Sequence, residues 1–171
     1  MVSGYAGSGK DTISNFFVSN RQFVRVAFAD SLKEFCSSKY KIDIKKFHTQ
    51  EGKASLYEKN ENMTLRDILI DEAYNQRRDD PNFFVNLVIN KIKNLNHDVV
   101  ISDFRYLNEY YNIKREFSNN FKIKTLHVDR PKISVCDEES EHQLDEFKFD
   151  YHVTNNTTIG DLQCKIDEMD L

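Results

Sequence analysis

The stretch Gly4-Tyr5-Ala6-Gly7-Ser8-Gly9-Lys10-Asp11-Thr12 constrains this chain more than any other part of it. Three glycines fall within six residues, followed by a lysine and, two places on, a hydroxyl. Glycine can take positive φ and puts no Cβ between backbone N–H groups and an anion. A helix starting near Lys10 would aim its unpaired N–H groups and positive dipole end at that anion. Lys10 could then reach β- and γ-phosphates, with the Thr12 hydroxyl in reach of a Mg²⁺ shell. The pattern predicts a loop that wraps the phosphates of ATP from Gly4 to Thr12. A Gly-Ser turn that happens to precede a lysine would not account for the helix-compatible run, Thr12 to Ser19, behind it. Only Met1-Val2-Ser3 stands ahead of the loop. The expectation is a stub of a first strand, or a sequence lacking a few N-terminal residues.

A length of 171 residues suits one domain with a real core. Apolar residues at 39% and charged residues at 30% read as globular rather than disordered. A formal net charge of −4 argues against broad, charge-driven nucleic-acid binding, and with the small size it discourages a DNA-dependent ATPase. No apolar run has the length of a membrane span and no signal-peptide core is evident, so the expected setting is cytoplasmic, away from membranes. Cys36, Cys136 and Cys164 are odd in number and widely spaced, which predicts reduced core or surface thiols without a disulfide framework or zinc site.

Along the chain, Phe23 to Ala29 has the β-branched and aromatic content of a buried strand. Asp30 or Ser31 is placed to cap a helix through Phe35. Residues 40–59 are polar and weakly periodic, predicting short helices and loops. Thr64 to Arg78 carries a helical apolar stripe at Leu65, Ile68, Leu69 and Ala73, with Thr64 and Asp67 at capping-box spacing. Pro81 sits where a further helix, Asn82 to Leu95, would begin. Asp98 to Asp103 is the clearest buried strand. Tyr106 to Phe117 reads as helix, Phe121 to Val128 as strand, 130–145 as a charged loop, Tyr151 to Thr154 as strand and Ile159 to Met169 as helix. Alternating strands and helices predict an α/β domain whose parallel sheet is covered on both faces, with ligands at the carboxyl ends of its strands. The phosphate loop, Asp30, Asp103, Arg130 and Asn155 all fall at such ends.

Phosphoryl transfer calls for cationic side chains, a metal-holding carboxylate and a lid rather than a covalent intermediate. Asp103, ending an apolar strand, reads as a carboxylate that holds Mg²⁺ or its waters; the alternative is a cap or turn aspartate. Arg105 would project from the same rim toward an acceptor phosphate, where a guanidinium binds bidentately. Asp30 and Lys33 stand at the rim after the second strand, facing an acceptor, or serve as a cap and a surface lysine. Arg66 opens the Thr64 helix, whereas Arg77 and Arg78 close it and equally suit its dipole. Arg130 precedes Pro131 at the hinge of an expected lid, 131–145. Glu138, Glu139 and His142 belong to an acidic run without metal-ligand spacing, and Asp11 is either a loop contact or a first-turn acid.

The residues also carry a resemblance. The general phosphate-loop pattern puts Ser or Thr directly after the lysine. Here Asp11 intervenes, giving the G-x-x-G-x-G-K-x-T spacing of nucleoside-monophosphate kinases. With FADSLKE, TQEGK, MTLRDIL, VVISDFRYLNE, HVDRP, SEH and FDYHVTNN, the chain resembles nearly end to end the deoxynucleoside monophosphate kinases of bacteriophages and large DNA viruses. The resemblance implies a three-layer α/β sandwich around a five-stranded parallel sheet of order 2-3-1-4-5. It implies one kinase domain with an acceptor-binding helical insertion at about 40–80, Mg²⁺-dependent transfer of the ATP γ-phosphate to a dNMP, a host-cytoplasm setting and a homodimer. By likeness, Gly4 through Thr12, Arg130 and Asn155 meet ATP. Asp30, Lys33, Gln50, Lys53, Arg66, Arg77 and Arg105 meet the acceptor, Thr12 and Asp103 the metal, and Lys10, Asp103 and Arg105 act in catalysis. The GKD loop and SD-x-R strand also resemble animal-type phosphomevalonate kinases. A silent nucleotide-binding protein is the reading of a different class, and it would not need Arg105.

Overall fold

The computed structural model describes residues 1–131 and 142–170. Cys136, Glu138, Glu139 and most of the expected lid lie outside the described residues. The chain divides into two compact units, Met1–Ala27 with Ile89–Leu171, and Phe28–Val88.

The first unit begins with β1 (Val2–Ser3), which leads through the glycine loop into α1 (Lys10–Arg21) and then β2 (Val24–Val26). It continues after the second unit with β5 (Val99–Ile101), α7 (Leu107–Phe117), β6 (Leu126–Asp129), β7 (Tyr151–Thr154) and α8 (Ile159–Asp167). The parallel ladders are β1-β6-β7 and, separately, β2-β5. Ile13, Phe16 and Phe17 of α1, Val100, Val128 and Leu162 are all buried in one apolar cluster. Side chains of this size contribute roughly 1.5–3 kcal/mol each when fully buried. Thr158 caps α8 by a reciprocal arrangement with Asp161, satisfying donors at the helix start.

The second unit holds α2 (Phe28–Tyr40), α3 (Ile44–His48), α4 (Gln50–Ala54), the antiparallel hairpin β3 (Leu56–Tyr57) and β4 (Asn60–Thr64), and α5 (Leu65–Asp79). The amphipathic α6 (Phe83–Lys93) runs on from it in sequence. Cys36, Phe47, Leu65 and Ile68 form its buried cluster. Burial pushes the Cys36 thiol up to about 12, so it packs as a small apolar group and is no nucleophile. The capping box expected from Thr64 and Asp67 is present: Thr64 N donates to Asp67 Oδ2 at 2.8 Å, and Asp67 N to Thr64 Oγ1 at 3.2 Å.

The expected five-stranded parallel sheet of order 2-3-1-4-5 is not what the chain forms. Its strands fall into ladders of three, two and two, and the last of these is antiparallel. The cause is strand length. β1 has two residues and β5 three, and no ladder joins them; Phe104 N, three residues past β5, donates to Val2 O at 3.1 Å. The same shortness truncates β6. Val2 pairs with Leu126, so no strand stands opposite residues 121–125, and the expected strand from Phe121 starts at Leu126. At the second strand, Phe28 and Ala29 belong to α2, which puts Asp30 in its first turn instead of at the cap. The β3-β4 hairpin was not legible in a polar segment without alternation. Among the described residues, no helix is long and apolar enough to cross a membrane.

Candidate functional site

The glycine loop joins β1 to α1, and its shape depends on residues without side chains. Gly4, Gly7 and Gly9 have φ of 138°, 76° and 109°. A Cβ on Gly4 would collide with the Val128 carbonyl, and one on Gly9 with the Asn155 amide. Gly9 is the left-handed residue at the start of α1 and, without a side chain, offers no side-chain cap to the helix. Ser8 N bonds Tyr5 O at 3.1 Å, closing the loop on itself.

Lys10 folds back over this loop. Its Nζ donates to Gly4 O at 2.6 Å and Tyr5 O at 2.8 Å, holding the ammonium along the rim that an anion would approach. The structure brings Arg130 and Asn155 to the same loop: Arg130 Nη1 donates to Gly7 O at 3.1 Å and Asn155 Nδ2 to Ser8 O at 2.8 Å. Asp11 instead points outward, 3.9 Å from Arg25, as a first-turn acid. Thr12 is half-buried one residue further along α1. Asp103 is half-buried two residues past β5. Arg105 lines a narrow crevice with Gly4, Tyr5, His127 and Asp145. Its backbone is held by buried Glu109, whose Oε2 accepts from Arg105 N at 2.8 Å and Tyr106 N at 3.0 Å.

No protein-family model matches the chain, and no curated protein does.

Two residues at the loop, Asp145 and His127, escaped the sequence reading. Tyr5 OH donates to Asp145 Oδ1 at 3.0 Å, and His142 Nδ1 lies 2.9 Å from Asp145 Oδ2. The hydrogen bond from His142, helped by that from Tyr5, holds the Asp145 carboxyl below the usual range. His127, on β6, sits with Nε2 3.2 Å from Asp129 Oδ1. Burial pushes its pKa down against the pull of Asp129, with His152 and Lys10 adding to the depression. The His-x-Asp alternation in His127-Val128-Asp129 was the available signal, since residues two apart share a face of a strand.

In the second unit, the candidates from α2, α4 and α5 separate into two groups. Lys33 and Asp30 pair at 2.8 Å on α2. Arg66 Nη2 donates to Gln50 Oε1 at 2.7 Å, tying α5 to α4. Lys53 is half-buried, and burial together with the nearby charges of Arg66 and Lys33 lowers its pKa. Lys33, Lys53 and Arg66 thus form a cationic group whose charges oppose one another, with Asp30 paired to Lys33 and Asp67 near Arg66. Such a cluster favours an added anion. Arg77 does not belong to it: its guanidinium lies over the Phe84 ring at 5.2 Å.

Among the described residues, no three His, Cys, Asp or Glu side chains group to hold a metal ion. Thr12 and Asp103 offer one hydroxyl and one carboxylate. That donor set fits Mg²⁺, which keeps several waters and takes further ligands from substrate phosphates.

Proposed function

We propose that the chain is an ATP-dependent kinase that phosphorylates a deoxynucleoside monophosphate. The observation that carries the reading is the loop from Gly4 to Lys10: three positive-φ glycines, a glycine at the start of α1, and an ammonium laid along its rim. Within the second unit, Lys33, Lys53 and Arg66 are the cations we assign to the acceptor phosphate, with Gln50 orienting Arg66.

In this reading the loop N–H groups bind the β-phosphate and Lys10 leaves Gly4 O and Tyr5 O for the transferring phosphoryl oxygens. Arg130 and Asn155 brace the loop through its carbonyls, and Arg105 takes charge developing on the acceptor side. Mg²⁺, held by Thr12 and through water by Asp103, would neutralise charge between the β- and γ-phosphates. The site needs no protein nucleophile, because positioning and electrostatics supply most of the acceleration. We further read the protein as acting in the cytoplasm, that of a host if it is viral, on small-molecule substrates.

The test is product identification. Wild-type protein with Mg²⁺, ATP and each dNMP should yield ADP and the corresponding dNDP, and Lys10→Ala should reduce turnover by at least about a hundredfold. Near-normal turnover in Lys10→Ala would overturn the assignment of the loop.

A further inference from the structure

The glycine loop is gripped from outside by a turn far along the chain. In that turn Asp145 N bonds His142 O at 3.2 Å and Phe147 N bonds Leu144 O at 3.0 Å. Leu144 is buried, and the Phe147 ring packs edge-on against buried Phe104 at 5.4 Å. Anchors on both sides of Asp145 therefore fix where its carboxylate stands, in one crevice with Gly4, Tyr5 and Arg105. Its Oδ1 accepts from the Tyr5 hydroxyl at 3.0 Å, and its Oδ2 lies 2.9 Å from His142 Nδ1. Those contacts hold the carboxyl below the usual range, so it is ionised in neutral solution. A carboxylate beside a loop that binds phosphates repels them. What it contributes in return lies in the Tyr5 contact.

Tyr5 is the residue through which that contact reaches the chemistry. Its carbonyl accepts from Lys10 Nζ at 2.8 Å and from Ser8 N at 3.1 Å. When Lys10 moves to the transferring phosphoryl group, the Gly4 and Tyr5 carbonyls lose their ammonium partner. The start of the loop then needs a hold that does not pass through Lys10. The Tyr5 side chain, tied to Asp145, is such a hold.

We propose that Asp145 is a positioning residue for phosphoryl transfer, clasping the Tyr5 hydroxyl so that the loop keeps its shape while the Lys10 ammonium crosses to the phosphate. The inference rests on the kinase reading of the loop. Small misplacements at reacting groups are costly in rate, so the clasp acts on turnover. Removing the carboxylate also removes a repulsive charge, so ATP affinity does not fall with it. The contact lies at the surface, and its loss should leave the melting temperature within about 2 °C of wild type.

The test is a double-mutant cycle with a conservative rescue. Tyr5→Phe and Asp145→Ala should each lower kcat about tenfold and leave the ATP Kd within about threefold of wild type. The double variant should be no slower than either single one. Asp145→Asn, whose amide oxygen still accepts from Tyr5 and whose amide nitrogen can donate to His142, should recover kcat to within about threefold of wild type. A second readout needs no turnover: exchange of the Ser8 amide, which bonds the Tyr5 carbonyl, should quicken about fivefold in Tyr5→Phe and Asp145→Ala but not in Asp145→Asn. Multiplying losses in the double variant, or an Asp145→Asn enzyme as slow as Asp145→Ala, would overturn the proposal. Unchanged Ser8 exchange would remove the clasp even in an active enzyme. A wild-type protein that turns over no dNMP, with the exchange pattern as expected, would sink the kinase reading and with it the role of the clasp in transfer.

Discussion

Glu72 offers the sharpest test of how the second unit holds its cations in place. It lies on α5 and is only 4% exposed. Its Oε1 accepts from Lys39 Nζ and Tyr40 OH, each at 2.6 Å, and its Oε2 from Gln76 Nε2 at 3.2 Å. The first two donors belong to α2, so this carboxylate joins the helix bearing Arg66 to the helix bearing Lys33. In Glu72→Ala, the half-buried Tyr40 hydroxyl loses its acceptor, which costs about 1–3 kcal/mol. Lys39, whose side chain is 47% exposed, can return to water and adds about 0–1 kcal/mol. The emptied side-chain volume adds about 1 kcal/mol. The expected loss is therefore about 2–5 kcal/mol, or roughly 4–20 °C in melting temperature for a chain of this size. Urea melts of wild type and variant measure it. A loss under about 0.5 kcal/mol would refute the role assigned to the network.

The same residue fixes a pH dependence. Burial pushes the Glu72 carboxyl up, and the hydrogen bonds from Lys39, Tyr40 and Gln76 outweigh it, leaving the folded pKa below the ordinary value of 4.5. A carboxylate depressed on folding contributes stability above its unfolded pKa and loses it as pH falls through the folded one. The stability gap between wild type and Glu72→Gln should be full near neutrality and should shrink below pH 4.5. A gap that widened in acid would reverse the sign of the argument.

Three further outcomes are expected. Gly9→Ala, which forces a Cβ into the Asn155 amide at φ 109°, should weaken ATP binding at least about tenfold in a titration while the protein stays folded; unchanged affinity would detach this glycine from the site. Arg66→Ala should raise the acceptor KM at least about tenfold and leave the ATP KM near wild type, since it removes one of three clustered cations, and an equal effect on both constants would move it to the donor side. Arg105→Ala should lower acceptor-dependent turnover more than ATP affinity, and the reverse order would make Arg105 a donor-phosphate ligand.

The parts of this molecule legible in the sequence are those whose cause is local. The glycine loop, the α1 that follows it and the Thr64-Asp67 box at α5 each depend on a few adjacent residues with a fixed conformational requirement. Strand extents depend on what lies opposite, and so the alternating run Phe121-Lys122-Ile123-Lys124-Thr125 stays outside β6, whose ladder to β1 starts at Leu126. The antiparallel β3-β4 pair lacks alternation, so periodicity could not find it. Arg130 and Asn155 stand just after strands, as the sequence pattern indicated, and the structure brings both against the loop carbonyls. The Tyr5-Asp145 contact spans most of the chain, and only tertiary structure could bring those two residues together. Arg77, in the last turn of α5, has its guanidinium 5.2 Å over the Phe84 ring, a contact that depends on the neighbouring helix and not on local pattern.

The central claim is transfer of the ATP γ-phosphate to a nucleotide acceptor. ATP consumption with Mg²⁺ should be followed against the four common dNMPs, their ribose counterparts and phosphomevalonate, with each product identified. The account predicts ADP and a dNDP in equal amounts with at least one dNMP. Turnover with phosphomevalonate alone, or silence across the panel while ATP still binds, would contradict it.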